Sequence, residues 1–101
     1  MNWYSELYTG KNAEKKAKRR IKEINNGIYR GNTYLITLAV NPADQLEILS
    51  VHQLRFSYIR RNCPMILGIA SGKEEALEVF MEIVDQVYRE TGDVKVRDYF
   101  E

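Results

Sequence analysis

The run MILGIA, residues 65–70, is apolar at every position and is followed at once by Ser71, Gly72, Lys73 and Glu74. A strand is apolar at successive positions when both of its faces are covered. The S-x-x-E spacing after it is a capping box, in which serine and glutamate each satisfy a backbone N–H of a helix's first turn. The segment therefore reads as a buried strand running directly into a helix that extends to Thr91 and stops at Gly92. Glycine takes the left-handed conformation that helix ends favour. Ala76, Leu77, Val79, Phe80, Ile83, Val84, Val87 and Tyr88 cover roughly half of this helix, the width of one lying on a sheet.

Three further elements precede this pair. In residues 2–8, Trp3 with Leu7 and Tyr4 with Tyr8 are four apart, which reads as a short helix. A second helix is expected from Asn12 to Asn25, with Ala13, Ala17, Ile21, Ile24 and Ile28 in a stripe roughly 80° wide. TYLITLAV, residues 33–40, is β-branched and aromatic and reads as a strand. Asn41 as N-cap and Pro42 in the first helical position open helical structure after it. Ser50 and Gln53 fit a second capping box, so two short helical pieces are expected to meet there. Near the end of the chain, Val94 and Val96 stand at period two, the signature of a third strand.

The order α-β-α-β-α-β, with each of the first two strands running into a capped helix, predicts an α/β fold. Parallel pairing with right-handed crossovers gives a small, mostly parallel two- to three-stranded sheet with helices packed on it. The alternative is an α+β arrangement whose last strand is antiparallel or absent. The 101 residues make one domain, 1–101. Two open sheet edges in so small a domain predict a homodimer that covers an edge or a helix face.

Charge is unevenly placed. Residues 11–22 hold seven basic groups and one acid, whereas residues 73–101 hold nine acids and four basic groups. Lys11, Lys15, Lys18, Arg19 and Lys22 gather opposite the apolar stripe of their helix. They are a candidate face for a polyanion or an acidic partner. The chain's net charge is +1, and no aromatic side chain is interleaved with these cations as in single-strand binders. A solvated or protein-facing helix is therefore preferred over a nucleic-acid grip. On the last long helix, Glu74, Glu78, Glu82 and Asp85 form an acidic row. The two helices are expected to face each other, within one chain or between two.

Candidate chemistry is sparse. Gly68-Ile69-Ala70-Ser71-Gly72-Lys73-Glu74 approaches a P-loop, but it has three residues between the glycines where the motif needs four. Glu74 stands where a magnesium-binding hydroxyl belongs. Ligands of a parallel sheet approach the carboxyl ends of its strands. That rim would hold Asn41, Ser71, Gly72, Lys73 and Arg97, a candidate site for an anion or small ligand. Trp3, Tyr4 and Tyr8 are a candidate interface anchor or a clasp over the domain. His52 has no acid neighbour that would complete a triad. Arg60 and Arg61 lie near Cys63 and would lower its pKa. One histidine and one cysteine leave a zinc site unexpected. No catalytic set, cofactor or metal is expected.

No apolar run approaches the roughly 20 residues of a membrane span, so no membrane partner is expected. MNWYSELY lacks a basic segment followed by an apolar one, so no secretory signal is expected. A single cysteine points to the cytoplasm.

The blocks NWYSELY, YLITLAVNP and ILGIASGKEEALEVFMEIVDQVYRETGDVKVRDYF resemble a family of short, uncharacterised bacterial proteins of about this length. The resemblance spans nearly the whole chain. It implies a free-standing small cytosolic protein and brings no activity, cofactor or catalytic residue with it. The reading that follows is a non-catalytic interaction or regulatory module. Nucleic-acid binding through the basic helix 11–25, and small-molecule or anion binding at the strand rim, are the two alternatives.

Overall fold

The computed structural model describes residues 1–41 and 43–101. Four strands, β1 (Trp3–Thr9), β2 (Thr33–Leu38), β3 (Leu46–Ser50) and β4 (Ile66–Ser71), form one mixed sheet in the order β1-β4-β2-β3. The helices are α1 (Ala17–Asn25), α2 (Ser57–Arg61), α3 (Lys73–Thr91) and α4 (Val96–Phe100), with a 3₁₀ turn at Val51–Arg55.

The apolar run of β4 is central, as its composition requires. One face carries Ile36, Leu38, Leu67 and Ala70, packed under Ala76, Val79, Ile83 and Val87 of α3 and Val96 of α4. The other carries Leu35, Ile66 and Ile69, packed under Ile24 of α1 with Val51 and Leu54 of the 3₁₀ turn. Each fully buried valine, leucine or isoleucine in these two layers contributes roughly 1.5–3 kcal/mol. Register between β2 and β4 steps at Leu67: Thr37 faces Ile66, and Ile36 faces Gly68.

The mixed helix-and-sheet class is as expected, but strand direction is not. β2 and β4 were expected to run parallel; they are antiparallel, with Leu35 opposite Ile69. The cause is β3. Residues 46–50 form a strand instead of a helix and fold back on β2 as a hairpin, Leu38 opposite Leu46 and Tyr34 opposite Ser50. Leu46 and Ile48 face α3, while Leu49 faces the other layer. No crossover helix then separates β2 from its neighbour, and β4 returns in the opposite direction. Asn41 caps a turn rather than a helix, its Oδ1 accepting from the Ala43 N–H at 3.0 Å. Pro42, expected at the first helical position, lies outside the described residues. The Ser50–Gln53 box is present and opens the 3₁₀ turn.

Among the described residues the one parallel pairing is β1 with β4, Trp3 opposite Ile66 and Thr9 opposite Ile69. Residues 2–8 were expected to be helical. Their apolar spacing of four also satisfies the period of two of a strand, and it sends Trp3 and Leu7 to one face and Tyr4 and Tyr8 to the other. β1 and β3 hold the edges of the sheet, and among the described residues Val94 and Val96 pair with neither. Val94 is exposed, and Val96 is buried at the start of α4.

The long helix ends at Gly92 as expected, with φ +73° and its N–H on the Tyr88 carbonyl. Its start is displaced. Ser71 is committed to β4, opposite Thr33, so the helix begins after Gly72 (φ +91°). The acid that reaches back is Glu75, not Glu74. Helices α1 and α3 lie on opposite faces of the sheet. Among the described residues no ion pair joins them, which removes the expected attraction within one chain.

Candidate functional site

Strands β1 and β4 end side by side. The chain leaving β1 at Gly10 turns to α1 on one face, and the chain leaving β4 at Ser71 turns to α3 on the other. Adjacent parallel strands whose connections part in this way leave a crevice at their carboxyl ends, where α/β proteins commonly bind ligands. Here a cavity of about 190 Å³ is lined by Asn12, Ala13, Lys16, Arg20, Asn32, Thr33, Ile69, Ala70 and Ser71. The start of β2 closes its far side, because β2 runs against β4.

Glu75, 6% exposed, does not line the cavity but holds the backbone of three residues that do, Asn12, Ala13 and Ser71. Its Oε1 accepts from the N–H groups of Ala13 (3.1 Å) and Ser71 (3.0 Å), and its Oε2 from the N–H of Asn12 (2.9 Å). Burial alone pushes this carboxyl up. The three backbone donors outweigh it and leave its pKa below the ordinary value. One side chain thus ties the first turn of α3 to the end of β4 and to the 10–13 turn. Gly10 makes room for it: its N–H bonds the Ile69 carbonyl at 2.9 Å, directly over the carboxylate. Glycine is also required at position 72, where φ is +91° and the Asn32 side chain packs against the backbone.

The walls are polar and cationic. Asn12, Lys16 and Arg20 follow at steps of four, so one stripe of the 11–25 segment faces the cavity. Arg20 Nη1 donates to Glu23 at 2.9 Å, and Glu23 is also held by Arg30. The hydrogen bond from Arg30, then that from Arg20, keeps the Glu23 carboxyl below its ordinary range. Among the described residues Lys16 makes no ion pair. The donors available to a ligand are the Lys16 ammonium, the remaining Arg20 guanidinium groups, the amides of Asn12 and Asn32, and the Ser71 hydroxyl. Among the described residues no free base stands beside Ser71. Glu75 is occupied by the backbone, and His52 Nε2 lies 3.0 Å from the Gly31 carbonyl, outside the cavity lining. The arrangement can bind and orient an acceptor-rich group; it holds no nucleophile–base pair.

The five residues of the expected rim are not brought together. Ser71 lines the crevice, with Gly72 and Lys73 following it at the same end. Asn41 and Arg97 lie at the opposite end of the sheet, because β2 is antiparallel. There Arg97 works as a latch. Its Nη2 donates to the carbonyl of Ala39 and reaches those of Asn41 and Asp44 at 3.5 Å, and its backbone N–H donates to Gln45 Oε1 at 3.2 Å. Lys11, Lys15, Lys18, Arg19 and Lys22 are all exposed. Trp3, Tyr4 and Tyr8 are half-buried within the chain. Tyr4 meets Phe100 edge-on at 4.9 Å, Tyr8 donates to Gln86, and Trp3 donates to Asn25. Burial pushes the Cys63 thiol up, so the expected lowering by Arg60 and Arg61 does not occur.

The residues that sequence reasoning passed over are Lys16, Arg20, Asn32 and Glu75. The spacing of Asn12, Lys16 and Arg20 was the available signal for two of them.

The chain matches no family model, no curated protein and no solved structure. Among the described residues no helix is long and apolar enough to cross a membrane, and no three metal-ligating side chains converge.

Proposed function

We propose that the protein is a non-catalytic binding module whose crevice takes a small anion, such as inorganic phosphate or a short carboxylate. The convergence of Lys16 and Arg20 with Asn12, Asn32 and Ser71 on one cavity at the switch point carries this reading. The cavity's size sets the ligand class, since about 190 Å³ is below the roughly 300–1,000 Å³ of pockets for drug-sized ligands. Catalysis is not part of the proposal, because the cavity supplies donors and charge but no base. A module of this kind acts by passing ligand occupancy to another chain, which fits the regulatory role inferred from the sequence.

Titration with phosphate at constant ionic strength, followed by ¹H–¹⁵N NMR, tests the proposal. Shifts are expected at the amides of Asn12, Ala13, Asn32 and Ser71, and Lys16→Gln or Arg20→Gln should weaken binding about tenfold or more. Shifts that spread evenly along Lys11, Lys15, Lys18 and Lys22, or that vanish when ionic strength is matched, would overturn it.

The exposed row Lys11, Lys15, Lys18, Arg19 and Lys22 supports nucleic acid as the second reading. An electrophoretic shift with mixed DNA and RNA, abolished by Lys15→Glu, Lys18→Glu and Lys22→Glu together, would favour it.

A further inference from the structure

We infer that the outer side of α3 docks an amphipathic helix of another protein whose apolar stripe is flanked by lysines or arginines. Three large apolar side chains on this helix stand in water: Leu77 is 51%, Met81 61% and Tyr88 57% exposed. With the half-buried Val84 they follow at steps of four, three and four, the spacing of a helix-pairing seam. At 100° per residue the seam is roughly 60° wide. It lies between the buried face of α3 and an acidic flank. That flank is Glu74, Glu78, Glu82 and Asp85, all exposed. Among the described residues Arg89 is the one basic group bound to it, through Asp85.

Charge selects the occupant. Pairing α3 with α3 of a second copy brings two acidic flanks together. Like charges in such positions oppose association. Pairing α3 with the basic α1 of a second copy matches charge, but the two helices sit on opposite faces of each chain. That contact is heterologous, so copies would add head-to-tail instead of closing as a dimer. A separate chain with a basic-flanked helix matches both the apolar seam and the acidic flank. Helix-in-groove recognition of this kind is read by anchors at i, i+4 and i+7.

The test uses two synthetic amphipathic helical peptides with leucine seams. One carries lysines in the flanking positions and the other glutamates; binding is followed by fluorescence anisotropy. The lysine peptide is expected to bind, and the glutamate peptide is not. Met81→Asp should weaken binding at least about tenfold. Because that change adds negative charge, purely electrostatic attraction would strengthen instead, so the direction separates seam docking from charge alone. Reversing Glu74, Glu78 and Asp85 to lysine should transfer preference to the glutamate peptide. All the substituted residues are exposed, and circular dichroism checks that the fold is kept. Equal binding of the two peptides, binding of neither, tighter binding by the Met81→Asp protein, or no change on charge reversal would overturn the inference. Self-association by sedimentation that Met81→Asp abolishes would overturn it too, by making a second copy the occupant. Lys16→Gln should leave peptide binding unchanged, so failure of the crevice proposal and failure of this one are read separately.

Discussion

A methyl group on Gly10 would lie 2.0 Å from Oε1 of Glu75, so the carboxylate fills the space that any other residue at position 10 needs. Gly10→Ala is expected to destabilise the fold by about 2–4 kcal/mol, through overpacking and the loss of hydrogen bonds. Glu75→Ala should cost about 3 kcal/mol by orphaning three N–H groups. The double variant should cost less than the sum of the two. Urea denaturation of the three variants checks this, and additive losses would show that the two residues act independently.

Stability should fall in acid, with Glu75 contributing. Its folded pKa is depressed below 4.5. Its stabilisation is therefore fully present above the unfolded value and is lost as pH falls through the folded one. Glu23 is depressed as well, by Arg30 and then Arg20, and contributes with the same sign. Glu75→Gln should cost about 1–2 kcal/mol near neutral pH, because its amide would point a donor at the Asn12 N–H. It should also flatten the loss of stability below about pH 4.5. Denaturant midpoints of the wild type and the variant across that range measure the difference.

Tyr99 should ionise well above the ordinary tyrosine range. Its hydroxyl donates to Glu90, and that hydrogen bond, more than burial, pushes its pKa up to about 12. Glu90→Gln should bring it down toward the ordinary tyrosine value of about 10. Ultraviolet titration of tyrosinate in both proteins reads the change, and an unchanged late phase would place the cause elsewhere.

The Arg97 latch should not tolerate lysine. Nη2 alone meets the carbonyls of Ala39, Asn41 and Asp44 while Nη1 lies 3.8 Å from Glu101, and a single ammonium cannot hold both positions at once. Arg97→Lys is expected to cost about 1–2 kcal/mol and to open the β2–β3 loop to proteolysis before the rest of the chain. Melting temperature and limited digestion check both effects.

Much of this fold was legible where a segment's pattern admits one period. The apolar β4, the helix that ends at Gly92, and the Ser50–Gln53 box all stand where the residues put them. Residues 2–8 were misread because a spacing of four belongs to helix and strand alike. LEILS was hidden by the turn and cap signals on either side of it. Val94 and Val96 do alternate, but local pattern does not reveal that Val96 is buried at the start of a short helix instead of in the sheet. At the site, Ser71 and Gly72 were legible from their cap-like sequence. Asn41 and Arg97 were grouped with them through strand direction, a property of contacts between distant segments. Lys16 and Arg20 were submerged in a run of similar charges, and only the sheet beneath them shows which cations face inward.

The pairing of β1 with β4 also sets a timetable for biosynthesis. A ribosome adds about 5–20 residues per second, so the first strand to be made waits several seconds for the last. Meanwhile the β2–β3 hairpin can already close on itself. Through that interval Trp3, Tyr4, Leu7 and Tyr8 have no finished sheet to cover them, and a nascent-chain chaperone would find its target there.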